Sequence, residues 1–175
     1  SPGWIKFIEH TFPEYLDNVS TCKSPQQMFG ALAKTYYADK RKLNPEKVVS
    51  VSVMPCTAKK YEADRPEMRD SGFKDVDYVL TTREVAHMIR QAGVDFLALE
   101  DNKFDSIMGE SSGAAVIFGA TGGVMEAALR TAYEIVTGRE VPFDNLNITP
   151  VRGMEGVREA SVVIEGTKKE WNFLE

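Results

Sequence analysis

The sequence predicts a layered α/β fold: a partly parallel sheet flanked by helices, with a small β-hairpin region near the C-terminus. Two strand-then-helix units carry the first part of that expectation, KVVSVSVMP running into TAKKYEAD and DYVL running into TTREVAHMIRQ. Alternating apolar and polar residues after position 147 carry the second.

At the front, residues 4–17 place apolar side chains at helical spacing with Pro13 in the middle, which predicts two short helical pieces. Ser24-Pro25-Gln26-Gln27 reads as a helix start, with serine as the cap and proline in the first turn. The helix is expected to reach about Ala38 and to pack Met28, Leu32 and Tyr36 inward. Val49, Val51 and Val53 alternate with serines in a strand that stops at Pro55. Helix is expected from Thr57 to Met68, and again from Thr81 or Thr82 to a stop at Gly93. The glycine-rich stretch 109–123 leads into a helix from Val124 to Gly138. Strands are expected at 147–151, 160–165 and 170–173, with a turn at Glu165-Gly166-Thr167.

With 175 residues the chain has room for one core, so residues 1–175 are expected to form a single domain. The net charge of −5 supplies no basic field, which argues against nucleic acid as a partner. No apolar run approaches the length of a membrane span. Two cysteines, Cys22 and Cys56, point to a reduced, cytoplasmic protein without a structural disulfide. Cys22 is expected to be buried packing. The abrupt ends, Ser1-Pro2-Gly3-Trp4 and Leu174-Glu175, suggest a segment of a longer chain.

Chemistry concentrates at Val53-Met54-Pro55-Cys56-Thr57-Ala58-Lys59. A cysteine between a strand end and a helix start meets unpaired N–H groups and nearby lysines, which makes Cys56 a candidate thiolate. Lys59 follows one helical turn later on the same face. The residues themselves leave a plainer account open. Lys59 or Lys60 can pair with Glu62 or Asp64 in an exposed bridge contributing less than about 1 kcal/mol, and Cys56 can be a small buried hydrophobe. Gly119, Gly122 and Gly123 lack the Rossmann and P-loop spacings, so close backbone packing accounts for them better than phosphate binding.

Met54-Pro55-Cys56-Thr57-Ala58-Lys59-Lys60-Tyr61-Glu62 resembles the second signature of the [FeFe]-hydrogenase catalytic domain, M-P-C-x-x-K-x-x-E. Ser24-Pro25-Gln26-Gln27, Thr81-Thr82-Arg83-Glu84 and the stretch from Phe118 to Ala128 are similar to the same family, in its order, across essentially the whole chain. The resemblance implies an H-cluster, a [4Fe-4S] cubane joined by one cysteine to a two-iron site that carries CO and cyanide. It implies Cys56 as a cubane ligand, Lys59 as hydrogen-bond donor to a cyanide, and Met54 as a soft wall of the two-iron site. It further implies Pro25, Gln26 and Phe118 as pocket residues and Ser20 as a hydroxyl of the proton path. The plain readings beside these are a first-turn proline, a surface glutamine, core residues at Met54 and Phe118, and a cap at Ser20.

The implied reaction is reversible oxidation of H2 to protons, with electrons exchanged through ferredoxin or a nicotinamide-linked subunit. Two departures stand out. Of the first signature, T-S-C-C-P-x-W, only Ser1-Pro2-Gly3-Trp4 is present, with serine at the ligating position; the third, E-x-M-A-C-x-x-G-C, has no counterpart in the 175 residues. The fragment itself is therefore expected to be inactive, to hold no cluster, and to self-associate through uncovered core surface. The alternatives are a non-hydrogenase relative acting in iron–sulfur assembly or lamin-precursor binding, and a hydrogen sensor on the same domain.

Overall fold

In the computed structural model the described residues are 1–109, 113–118 and 122–141, with the backbone of strands at 149–150, 158–162 and 171–174. The chain divides into two compact units, Ser1–Met108 and Gly109–Glu175.

The first unit opens with helix α1, Pro2–Thr11, which Pro13 ends in favour of a 3-10 segment, Pro13–Asn18. Rings of Trp4, Phe7, Phe12 and Tyr15 stack in sequence along these pieces, with successive centroids 6.0, 5.7 and 6.3 Å apart. Helix α2, Pro25–Leu32, is capped by Ser24, whose Oγ accepts from the Gln27 N–H at 3.5 Å. A five-residue π-helical turn, Ala33–Tyr37, joins it to the short α3, Ala38–Lys40.

The burial of this helical run corrects the sequence expectation. Met28, Leu32 and Tyr36 are exposed, while Gln26, Gln27, Gly30, Ala33, Lys34 and Ala38 face inward. Gly30 decides the register, since a Cβ there would overlap the Asp75 carbonyl oxygen and lie 2.8 Å from Val76 Cγ2. Only the glycine face can approach this closely. The polar residues it carries inward are mostly satisfied. Lys34 donates to the Lys74 carbonyl at 2.6 Å and to Asp77 Oδ1 at 2.8 Å. The Gln27 amide, by contrast, has no hydrogen-bond partner among the described residues.

Strand β1, Val51–Met54, leads through helix α4, Ala58–Asp64, to strand β2, Tyr78–Thr81, and the two strands pair in parallel with Met54 opposite Thr81. One face packs Met54 against Ala63, Val76 and Val79. The other turns Val51, Val53 and Tyr78 outward. Helix α4 is shorter than the 57–68 expected from sequence, because Arg65, preceding Pro66, takes an extended conformation (ψ 137°). Helix α5, Thr82–Gln91, begins with a capping box between Thr81 and Glu84, and Gly93 follows its end in the left-handed region (φ 68°). A 3-10 turn, Phe96–Ala98, follows.

In the second unit, α6 spans Gly113–Ile117 and α7 spans Gly123–Thr137, with Gly138 left-handed at its end. A Cβ on Gly123 would run into the Ile117 carbonyl, so its lack of a side chain permits the join of the two helices. Gly119 and the turn 165–167 lie outside the described residues. An antiparallel sheet in the order β3 (Thr149–Pro150), β4 (Arg158–Val162), β5 (Trp171–Leu174) closes the unit. These strands fall within three residues of the sequence-expected positions at either end.

Candidate functional site

Helix α4 starts two residues after Cys56, and its first turn and a half carries the site. Thr57 caps the helix, Cys56 stands half-buried before it, and Lys59 and Glu62 lie on one face. Lys59 Nζ sits 3.1 Å from both Glu62 Oε1 and Oε2. The bridge is not the exposed one of the plain reading: the side chains are only 14% and 6% accessible. Lys60 turns away and donates to the Val79 carbonyl and to Glu84, each at 3.0 Å.

The N-terminus of α2 completes the arrangement. The Ser24 hydroxyl donates to Glu62 Oε1. Gln26 Nε2 donates to the Lys59 carbonyl at 3.3 Å and lies 3.4 Å from Glu62 Oε1, while its Oε1 accepts from the Ser52 hydroxyl of β1 at 2.7 Å. Gln26 is thus buried and fully engaged, not a surface glutamine. Five side chains from α2, β1 and α4 form one buried polar network centred on Glu62. Sequence reading named Gln26 and Lys59 as site residues. It gave Glu62 as a bridge partner and signature position and Ser24 as a cap within a family-like motif, assigned neither a role in the site, and missed Ser52. The signals for Glu62 were its place three residues after Lys59 and its match to the closing glutamate of the M-P-C-x-x-K-x-x-E signature.

Pro25 occupies the first turn of α2 and is exposed, and Met54 leans on the core cluster two residues before Cys56. Ser20 is exposed, and its Oγ accepts from the Cys22 N–H at 3.2 Å. A cavity of about 360 Å³ brings Ser1, Ser20, Ser24 and Glu62 to a common lining. Cys22 is exposed, contrary to the expectation of buried packing. It belongs to the irregular segment before Ser24, where no regular element presents it to the core. Phe118 directly follows α6 in the second unit and is 42% exposed.

Charge pairs hold the surrounding elements. Arg65 spans Glu9 of α1 with two hydrogen bonds, 2.5 and 3.1 Å, and also binds Glu67; the guanidinium holds the Glu9 carboxyl below its ordinary range. Burial pushes the Asp75 carboxyl up, but bonds from Ser71 and Asp70 and the charge of Lys23 more than offset it, so its net shift is downward.

Cys56 supplies a soft sulfur, Met54 a thioether and Lys59 an ammonium, the donor types an iron–sulfur centre with anionic ligands uses; Lys59 is engaged by Glu62 and Met54 leans on the core cluster. Among the described residues no group of three or more His, Cys, Asp or Glu side chains is placed to hold a metal ion.

The profile of the family described as iron only hydrogenase large subunit, C-terminal domain, matches residues 1–174. The chain is 57% identical to the periplasmic [Fe] hydrogenase large subunit of Nitratidesulfovibrio vulgaris, over 95% of its own length and 39% of that protein's. It is 57% identical to the NADP-reducing hydrogenase subunit HndD of Solidesulfovibrio fructosivorans, over 93% and 28%. Cytosolic iron-sulfur assembly component 3 of Pongo abelii is 38% identical over 80% and 31%. The solved apo [FeFe]-hydrogenase HydA1 of Chlamydomonas reinhardtii superposes with a TM-score of 0.73 at 43% identity, covering 95% of this chain and 42% of that one. The chain therefore spans well under half of the relatives it matches. With its signature residues, its parallel β1–α4–β2 unit and a match over nearly every residue, the chain belongs to the family of the iron-only hydrogenase large subunit, C-terminal domain.

Proposed function

We propose that this chain is part of the catalytic subunit of an [FeFe] hydrogenase, an oxidoreductase that interconverts H2 with protons and electrons. The supporting observation is the convergence of the Lys59 ammonium, three residues after Cys56, and the Gln26 amide on one buried carboxylate. When bound, the H-cluster supplies the redox chemistry. Cys56 would ligate the cubane, and Lys59 would donate to a cyanide. Met54, Pro25, Gln26 and Phe118 would shape the pocket, and Ser20 would offer its hydroxyl to protons.

A cubane takes four protein ligands and Cys56 supplies one, so the isolated chain is inactive and binds no cluster. Electrons reach the whole protein through ferredoxin or a nicotinamide-linked subunit; the name of the NADP-reducing relative supports the second. The two free thiols fit a reducing cytoplasm, and fractionation distinguishes that from the periplasm named for another relative. Among the described residues no helix is long and apolar enough to cross a membrane.

The 38% identical relative favours a second reading, a role in iron–sulfur assembly. Its lower identity, and the joint presence of Lys59, Met54, Gln26 and Phe118, place it behind the first. The deciding experiment uses the full-length protein after maturation. Cys56→Ala is expected to lower cluster iron and hydrogen evolution by about 10- to 100-fold or more, and Lys59→Ala to lower hydrogen evolution comparably. A matured wild-type protein that evolves no hydrogen would overturn the proposal.

A further inference from the structure

We infer that Glu62 is a positioning residue for Lys59, fixing which way its ammonium points. The inference rests on the hydrogenase reading above and assigns a role to a residue that reading leaves without one.

Glu62 is 5% exposed, and a carboxylate so placed persists only with its charge answered. The answer comes from two elements. Lys59 on the preceding turn of α4 spans both oxygens, while Ser24 and Gln26 approach Oε1 from α2. Gln26 is itself held by Ser52 of β1. The carboxylate therefore has a fixed orientation, set by groups outside its own helix.

A lysine side chain is a flexible stem with large rotamer entropy and three equivalent donors. Shared between the two Glu62 oxygens, the Lys59 ammonium is pinned at one end of the network and keeps an N–H for another acceptor. The complementary ligand is a small anion or anionic metal ligand. Ser24 also caps α2, so the same hydroxyl couples Glu62 to the turn bearing Pro25 and Gln26. Glu62 thus aligns two pocket-bearing elements at once.

Competitive reductive methylation of the metal-free full-length protein, read by peptide mass spectrometry, tests this. Lys59 is expected to react more slowly than Lys42, which is exposed. Glu62→Gln keeps the shape and removes the charge; it is expected to raise the Lys59 rate roughly tenfold relative to Lys42 and to lower hydrogen turnover by a similar factor. Glu62→Asp should recover part of both. Ser24→Ala, which leaves the carboxylate in place, should give a smaller rise and decides the matter if Glu62→Gln fails to fold. An unchanged Lys59 rate in the folded variants, or a raised rate with unchanged turnover, overturns the positioning role. Normal turnover in Lys59→Ala instead overturns the hydrogenase reading of the site, so the two failures are distinct.

Discussion

Gly30 shows how much one missing side chain decides. Its α2 backbone lies so close to Asp75 and Val76 that a methyl group has nowhere to go, because the obstructing atoms include backbone. Gly30→Ala is therefore expected to destabilise the chain by about 1–3 kcal/mol, read as a lower urea midpoint, although alanine is the better helix former. Single residues are also where sequence reading did best and worst. Ser24 and Thr81 are legible as caps, since a hydroxyl before a helix has one common use, and both hydroxyls accept the expected N–H. Cys22 was misread because its type favours burial while its irregular segment leaves it exposed. Glu62 was marked by the signature but given no role: its partners Ser24 and Gln26 lie 38 and 36 positions away, which no local pattern displays.

At the scale of elements, the misplaced face of α2 has a physical cause. The helix and the π-helical turn after it carry apolar residues on one side and Gln26, Gln27 and Lys34 on the other, and hydrophobicity alone points the wrong way. The polar face goes inward because it bears the glycine and because Gln26 and Lys34 find partners there. Helix α5 gives a testable pH dependence. The Lys60 ammonium, with the N–H and hydroxyl of Thr81, lowers the Glu84 carboxyl from 4.5 to about 2. A lowered carboxyl stabilises the fold above its unfolded value and loses that contribution as pH falls through its folded one. Urea midpoints should thus fall between about pH 4.5 and 2, and Glu84→Gln should flatten this part of the profile. An identical acid profile in the variant would remove Glu84 from the account.

For the molecule as a whole, the expected α/β class and both strand–helix units appear in their order. What sequence could not show is which sheet face is covered. Parallel sheets are ordinarily buried on both sides, yet Val51, Val53 and Tyr78 lie open on one face of β1–β2, and Met28, Phe29 and Leu32 of α2 and Tyr36 of the π-helical turn lie open as well. So much apolar surface favours association of the 175-residue chain with itself. Sedimentation velocity is expected to show a mass that grows with concentration, and Val51→Glu with Val53→Glu to suppress it. A monomer at every concentration would contradict this.

The parallel pairing of β1 with β2 also bears on how the first unit assembles. Val51 and Tyr78 come into register only after the intervening chain, α4 included, has closed on itself. Loop closure is an entropic toll met before the ladder returns anything. At seven residues α4 is too short to stand alone, so it depends on packing against the paired strands it connects. The placement of Cys56 and Lys59, at the seam of strand and crossover, is therefore tied to closure of the whole β1–α4–β2 unit.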